Sequence, residues 1–184
     1  MLCLVILIVI QTLAAMKMAV LNKLLEQRAY TDTHTGLPNK SACEELLNNK
    51  ETVGKHTACI MFDLNNLKII NDTKGHLMGD QLILNFARLL RNVIPQKDFV
   101  GRYGGDEFMV VIYNTSKTEI EDILKQLSRE KDRLNSSGNN MPIDYACGWA
   151  ISDADSECTI QMLLDKADYY MYENKQAYKK SKKS

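Results

Sequence analysis

Three carboxylates stand at places where the sequence predicts neighbouring strands of a sheet. Asp63 directly follows the apolar run 58–62, which predicts a buried strand, and Asp106 and Glu107 follow a pair of glycines between two short strand-like runs. A buried carboxylate without a partner is unfavourable, so Asp63 needs a cation. Taken singly, the acids are also compatible with solvated turn residues and a strand-end cap. Together they predict a site for Mg²⁺ or Mn²⁺, because hard oxygen ligands select these ions and a pair of them suits in-line attack on phosphorus.

A second group of polar residues fills the segment between the first strand and the next helix. Its members can hydrogen-bond a ligand at the carboxyl end of that strand: Asn71, Asp72, Gly75, His76, Gly79 and Asp80. Asn71 and Asp80 offer an amide and a carboxylate, the pair needed to read a guanine edge that presents both donors and an acceptor. This group therefore also indicates a ligand site beside the acids.

The composition is that of one globular domain with a short additional segment. The chain has 184 residues, of which 45% are hydrophobic and 25% are charged, so neither a disordered protein nor a multidomain array is indicated. The 23 basic residues balance the 23 acidic ones, which leaves no global positive field to attract nucleic acid. Five cysteines without a CxxC pair indicate neither a disulfide framework nor a zinc site and are typical of a reducing cytosol.

Hydrophobic periodicity predicts that these residues lie on a split βαβ sheet. Strands are predicted at 56–64, 100–103, 107–113 and 143–151, with helices at 41–49, 78–93, 116–134 and 159–178. Ser41 and Ser116, each three residues before a glutamate, are the predicted helix caps, and the Gly104-Gly105 pair predicts a hairpin turn with positive φ angles. The predicted fold class is α+β: a βαββαβ ferredoxin-like or palm antiparallel sheet, with helices packed on one face and a further helix flanking it at each end.

The N-terminal segment forms a separate unit. Residues 1–21 contain an apolar run that predicts a membrane helix preceding the α+β domain; a signal segment, a helix buried in a partner and the end of a longer sensor are the alternatives. Lys17, Lys23 and Arg28 follow this run, so the positive-inside rule places the remainder of a single-pass protein on the cytoplasmic side of the inner or cell membrane. Residues 22–31 are interpreted as a linker or signalling helix of the kind that often pairs with its own copy.

Four motifs follow one another along the chain. Residues 102–108 read RYGGDEF and resemble the signature of the GGDEF family of diguanylate cyclases, bacterial enzymes that join two GTP molecules into cyclic di-GMP. The stretch 63–80 resembles the second motif of that family, 32–40 resembles its opening motif, and 163–175 resembles its closing helix. The resemblance implies a GGDEF catalytic domain at 32–180, followed by a basic tail at 181–184.

The resemblance implies which residues hold metal and take part in the reaction. Asp63 and Asp106 would hold two Mg²⁺ ions per active site, or Mn²⁺ in their place, with the backbone carbonyl of Leu64 as a further ligand and Glu107 assisting. Asp106 or a metal-bound water would accept the proton of a ribose 3′-hydroxyl, and Lys68 would neutralise charge that develops on the phosphates. The implied reaction is attack of the 3′-oxygen on the α-phosphorus of a second GTP, with release of pyrophosphate.

The same resemblance assigns the substrate-binding residues. Asn71 and Asp80 would recognise guanine, His76 would lie at the substrate site, and Lys175 would contact the terminal phosphates. Gly104 and Gly105 would let the hairpin backbone approach the nucleotide closely. Each protomer would hold one GTP, so a two-fold symmetric product requires that two sites face each other in a homodimer.

The chain departs from the family pattern at the site where the product usually inhibits the enzyme. That site carries an Arg-x-x-Asp sequence, and residues 95–98 keep only Asp98, so product feedback is expected to be weak or absent. Two rival functions remain: a catalytically silent GTP-binding signalling module and a purely structural dimerisation domain. The intact Asp106-Glu107 pair favours an active cyclase, because silent modules usually lose those acids.

Overall fold

The structure, a computed structural model, describes residues 2–49, 53–54, 56–137, 142–152 and 157–181. In these residues a four-stranded antiparallel sheet has the order β2-β3-β1-β4. The strands are β1 (Ala58–Leu64), β2 (Phe99–Arg102), β3 (Glu107–Ile112) and β4 (Tyr145–Ile151). The predicted βαββαβ fold is therefore confirmed, and each strand lies close to its predicted bounds.

The helices are α1 (Leu2–Tyr30), α2 (Lys40–Asn48), α3 (Leu67–Lys74), α4 (His76–Val93), α5 (Lys117–Ser136) and α6 (Ile160–Ser181). The sequence prediction has a loop where α3 lies. This helix has 8 residues and buries none of them, so its apolar periodicity is too short to detect. Gly75 separates α3 from α4 with a φ of 85°, a backbone conformation that favours glycine.

The helix caps agree with the sequence prediction in part. Ser116 and Glu119 form the predicted capping box at the N-terminus of α5. Helix α2, in contrast, begins after Asn39, whose side-chain oxygen accepts a 3.1 Å hydrogen bond from the Ala42 amide. Ser41 therefore lies inside α2 instead of capping it, because Asn39 already fills the capping position.

Both faces of the sheet are covered by helices, because the two predicted flanking helices, α2 and α6, pack on the face opposite to α4 and α5. Helices α4 and α5 pack on the face that carries Ile60 and Phe62, while α2 and α6 pack on the face that carries Cys59 and Met61. All residues of β1 are buried, as expected for a central strand whose two faces are both apolar. This burial fixes the carboxyl end of β1 at one edge of a rigid core.

Helix α1 runs without a break through the predicted boundary between a membrane helix at 1–21 and a linker helix at 22–31. Its large apolar side chains are exposed along most of its length, from Leu4 to Leu25. By length and composition the helix Cys3–Tyr30 is able to cross a membrane. The predicted basic tail lies outside the described residues after Ser181.

Candidate active site

The carboxyl end of β1 and the hairpin between β2 and β3 bring the predicted acids to one edge of the sheet. Asp63 lies opposite Glu107 in the antiparallel register of β1 and β3. One residue further, the Leu64 amide donates a 2.9 Å hydrogen bond to the Asp106 carbonyl, which holds the hairpin against the end of β1. The three acids are therefore neighbours along the backbone, as the strand order predicts.

Asp63 is a buried carboxylate with one cationic partner. Its side chain is 10% exposed, and its Oδ2 accepts a 2.6 Å hydrogen bond from Nζ of Lys175 on α6. The other oxygen, Oδ1, is buried and has no hydrogen-bond partner among the described residues. A buried carboxylate oxygen without a donor is unfavourable, so this atom has an unused capacity to bind a cation.

The pKa of the Glu107 carboxyl is raised by its surroundings. Burial raises its pKa above the ordinary value, and the negative charges of Asp106, Asp63 and Asp168 raise it further, while Lys175 opposes the shift. One lysine thus faces several carboxylates. The resulting excess of negative charge favours a bound cation at this edge of the sheet.

The predicted metal ligands are adjacent but do not form a closed cluster. Across the described ranges, no group of three or more His, Cys, Asp or Glu side chains is arranged to hold an ion. The ammonium of Lys175 contacts Asp63 instead. The donor set still fits Mg²⁺ or Mn²⁺, because the unsatisfied Oδ1 of Asp63 and the carboxylate of Glu107 are hard oxygen ligands in a field of excess negative charge.

Gly104 makes room for the side chain of Glu107. A Cβ atom at Gly104 would lie 2.6 Å from Oε2 of Glu107, whereas one at Gly105 would meet no atom within 4 Å. The predicted hairpin is present, since β2 and β3 pair antiparallel around this turn, but neither glycine has the positive φ angle that the sequence analysis predicts. The turn is closed instead by hydrogen bonds from the Tyr103 and Gly104 amides to the Glu107 carbonyl, at 2.9 and 3.1 Å.

The predicted guanine-binding residues lie on α3 and α4, which follow the same end of β1. Asn71 on α3 packs so closely against Gly79 on α4 that a Cβ atom there would overlap the Asn71 side-chain oxygen. His76, the first residue of α4, and Asp80, one turn later, are exposed, as is Lys68 on α3. Their polar groups are therefore accessible to a ligand.

Two cavities adjoin Glu107. One has a volume of about 510 Å³ and lies between the sheet edge and α6, where its charged lining is Asp63, Glu107, Asp165, Asp168 and Lys175. The other, of about 520 Å³, lies between the hairpin and the segment that precedes α2, and its lining includes Asp32, Arg102, Gly104 and Gly105. Both volumes fall in the range of small-molecule sites. Lys68, Asn71, His76 and Asp80 line neither cavity.

The loop 31–39 fixes the hairpin by contacts that sequence reasoning missed. Asp32 forms an ion pair with Arg102 at 3.2 Å, and Arg102 also donates a 2.8 Å hydrogen bond to the Gly105 carbonyl. Burial raises the pKa of the Asp32 carboxyl, but hydrogen bonds from Thr35 and the Arg102 charge outweigh burial and leave the pKa below its usual value. The one sequence signal for these contacts is that both partners lie in motifs of the family resemblance.

The same loop also contacts α4. Nε2 of His34 lies 2.9 Å from the carbonyl oxygen of Asp80, and Arg91 donates a hydrogen bond to the Gly36 carbonyl. The sequence motifs do not predict this contact of His34. Its contact is with the backbone of a predicted guanine-binding residue, which connects the loop to that part of the site.

The chain has an antiparallel βαββαβ sheet, with acids at the end of strand β1 and on the adjoining Gly-Gly-Asp-Glu hairpin. These features define the class of GGDEF-like domains. Comparison with known families gives the same result. Residues 29–181 match the family described as diguanylate cyclase, GGDEF domain, and the chain belongs to this family.

Curated relatives match most of this chain but less than half of their own length. The signaling protein YkoW of Bacillus subtilis is 32% identical over 164 residues, and the match covers 85% of this chain and 20% of YkoW. The diguanylate cyclase DgcP of Escherichia coli is 30% identical over 165 residues, with 87% of this chain and 48% of DgcP covered. Relatives named as cyclic di-GMP phosphodiesterases match as well, such as PdeB of Shewanella oneidensis, at 32% identity over 146 residues, 78% of this chain and 17% of PdeB.

A solved structure supports the fold. The coiled coil and GGDEF domain of DgcB from Caulobacter crescentus, in complex with c-di-GMP, superposes with a TM-score of 0.77 at 22% sequence identity, and the match covers 91% of each chain. At this level of identity the likeness shows the shared architecture of sheet and helices.

Proposed function

We propose that this chain is a diguanylate cyclase of bacterial second-messenger signalling, which condenses two GTP molecules into cyclic di-GMP and pyrophosphate. The observation that carries the proposal is the buried Asp63 carboxylate. It lies opposite Glu107, has an unsatisfied oxygen and adjoins the intact Asp106-Glu107 hairpin. Membership of the GGDEF family and relatives named as diguanylate cyclases support the same reaction.

The residues around the end of β1 bind and orient GTP in this proposal. Asn71 and Asp80 hydrogen-bond the guanine edge, because an amide and a carboxylate complement its acceptor and its donors. Lys175 and Lys68 contact the phosphates as point charges, and His76 lies beside the substrate. Gly104 and Gly105 present no side chain, so the hairpin backbone approaches the nucleotide closely.

The acids hold the metal and move the proton. When bound by Asp63, Asp106, Glu107 and the Leu64 carbonyl, two Mg²⁺ ions, or Mn²⁺ in their place, supply Lewis-acid stabilisation of the charge on the transferring phosphate. Asp106 accepts the proton of the ribose 3′-hydroxyl as the 3′-oxygen forms a bond to the α-phosphorus of the second GTP. The bond from that phosphorus to pyrophosphate breaks, and the two lysines stabilise the leaving group.

The proposal also includes a homodimer and a location at the membrane. The product has two-fold symmetry and each protomer holds one GTP, so the active species is a homodimer in which two sites face each other. The apolar N-terminal part of α1 spans the inner or cell membrane in this proposal, which the length and composition of the helix Cys3–Tyr30 support. The basic residues Lys17, Lys23 and Arg28 follow the apolar run and keep the catalytic domain in the cytoplasm.

Incubation of the full-length chain in detergent micelles with GTP and Mg²⁺ tests this function, with cyclic di-GMP and pyrophosphate as the measured products. We expect Asp106→Asn to reduce the rate by about 10²-fold or more. Asp122→Asn, which changes an exposed acid on α5, serves as the matched control and should retain the wild-type rate. Absence of product with GTP-dependent thermal stabilisation would support the silent signalling module, and absence of both would support a structural dimerisation domain.

A further inference from the structure

Lys175 has two roles that exclude one another. In the structure its ammonium lies 2.6 Å from Oδ2 of Asp63, whereas in the proposed reaction Asp63 binds a metal ion and Lys175 contacts phosphate. A divalent ion and an ammonium on one carboxylate repel each other. We propose that Lys175 is an exchangeable counter-ion, which neutralises Asp63 when no metal is bound and is displaced towards the phosphates when a metal ion binds Asp63. This inference rests on the proposed function.

The burial of Asp63 explains why a counter-ion is present at all. The Asp63 side chain is 10% exposed and that of Lys175 is 27% exposed, so water screens the pair poorly. A buried carboxylate that loses its only cation is strongly unfavourable. An ionised Asp63 is therefore stabilised by a cation, and Lys175 supplies that cation in the absence of metal.

The compensation that Lys175 provides is incomplete, which favours exchange for a divalent ion. The ammonium bonds Oδ2, but Oδ1 is buried without a partner among the described residues. Glu107 lies opposite Asp63 in the sheet and adds a second negative charge. A divalent ion carries twice the charge of an ammonium and accepts several oxygen ligands, so it compensates both carboxylates where one lysine compensates chiefly one oxygen.

Lys175 is also placed to move without a change of fold. It extends from α6 on a flexible four-carbon stem and lines the cavity of about 510 Å³ that Asp63 and Glu107 also line. When it leaves Asp63, its ammonium stays in this cavity and becomes available to an anion. Metal binding therefore releases the lysine that the triphosphate needs, and the two ligands bind cooperatively.

Mn²⁺ binding without nucleotide tests the exchange directly. Electron paramagnetic resonance measures the affinity of the full-length chain in detergent micelles for Mn²⁺ alone and for Mn²⁺ with GTP. Lys175→Met removes the competing charge, so we expect it to bind Mn²⁺ alone about 5-fold more tightly than wild type or better, and Mn²⁺ with GTP more weakly. The matched control is Lys166→Met, which lies on the same helix but lines a different cavity and should behave as wild type.

An affinity of Lys175→Met for Mn²⁺ alone that is equal to or weaker than that of wild type would overturn the exchange. Asp63→Asn separates this outcome from failure of the proposed function. If Asp63→Asn binds Mn²⁺ as tightly as wild type, both with and without GTP, then the metal site is wrongly placed and the proposed function fails with it.

A measurement on the unaltered chain covers the case in which Lys175→Met does not fold. Nuclear magnetic resonance of ¹⁵N-labelled lysine ammonium groups should show a slowly exchanging signal for Lys175, identified by its loss in Lys175→Arg. Mg²⁺ without nucleotide is expected to shift this signal and to accelerate its hydrogen exchange. A Lys175 signal that saturating Mg²⁺ leaves unchanged would contradict the proposal.

Discussion

Among single residues, Gly79 leaves free the space that the Asn71 side chain occupies. Gly79→Ala adds a methyl group that would overlap the Asn71 side-chain oxygen and lie 3.1 Å from Cδ1 of Leu67, so the Asn71 side chain must move. Loss of a hydrogen bond to guanine should raise KM for GTP about tenfold, while the cost of displacing Asn71 and Leu67 offsets the gain of up to about 1 kcal/mol from the helix propensity of alanine. Steady-state kinetics and thermal unfolding measure the two effects.

Gly54→Ala is the control for this substitution, since a Cβ atom there meets no atom within 4 Å. It should change neither KM nor the melting temperature. An unchanged KM in Gly79→Ala would mean that Asn71 does not read the base.

Three cysteines of the sheet and α2 are expected to be unreactive in the folded chain. Burial raises the pKa of Cys43 to about 12 and that of Cys147 to about 11, and it raises the pKa of Cys59 as well. The thiolate is the reactive species, so at pH 8 iodoacetamide should alkylate these residues far more slowly in the folded than in the unfolded chain. Mass spectrometry of peptides measures the labelling, and rapid alkylation of Cys59 in the folded chain would conflict with its place in β1.

At the scale of elements, the loop 31–39 connects α1 to the hairpin through Asp32 and Arg102. Asp32→Asn should lower the free energy of unfolding at pH 7 by about 1 kcal/mol, because it weakens a part-buried charged hydrogen bond. The pKa of Asp32 is lower in the folded than in the unfolded chain, so its contribution is complete above the unfolded pKa of about 4 and is lost as the pH falls through the folded pKa. Urea unfolding at pH 7 and below pH 4 should therefore show a difference that shrinks in acid.

The exposed pair of Asp122 and Lys125 on α5 provides the comparison for this prediction. Asp122→Asn should change the free energy of unfolding by much less than Asp32→Asn, since solvent screens exposed ion pairs. Equal effects of the two substitutions would show that the loop is not held by its ion pair.

The segment between α4 and β2 contains the position at which the family pattern has its product-inhibition site. Asp98 is buried, with Oδ1 accepting a 3.1 Å hydrogen bond from the Tyr113 amide, and the adjoining cavity of about 520 Å³ includes Arg91, Pro95 and Gln96 in its lining. Pro95 stands where the family pattern has an arginine, so we expect cyclic di-GMP to inhibit weakly or not at all. Initial rates with added product measure this, and sub-micromolar inhibition that disappears in Asp98→Asn would contradict it.

The elements that could be predicted from the sequence are those with long apolar patterns. The run 58–62 marks β1 because both faces of that strand are buried, and the strand order then places Asp63 beside the hairpin. Helix α3 could not be predicted, because its 8 residues bury no side chain. The ion pair of Asp63 with Lys175 could not be predicted either, because its partners lie 112 positions apart in the chain. The family resemblance assigns Lys175 to phosphate and gives no sign of its contact with Asp63.

In the molecule as a whole, the loop 31–39 connects α1 to the candidate site. The Asn39 side chain donates a 2.8 Å hydrogen bond to the Ala29 carbonyl near the end of α1, and Thr31 forms a β-bridge with Pro38. From this loop, Asp32 contacts the hairpin and His34 contacts α4. In the proposed homodimer, a movement of α1 would therefore reach both the hairpin that carries Asp106 and Glu107 and helix α4, which carries the predicted guanine-binding residue Asp80.

In the proposed function, the acids at the end of β1 convert GTP into cyclic di-GMP. Its most direct test is the amount of cyclic di-GMP that the full-length chain forms from GTP and Mg²⁺, compared between wild type and Asp63→Asn at equal concentrations of folded protein. We expect product from wild type and about 10²-fold less, or none, from the variant. Product at the wild-type rate from Asp63→Asn, or no product from the wild-type chain, would contradict it.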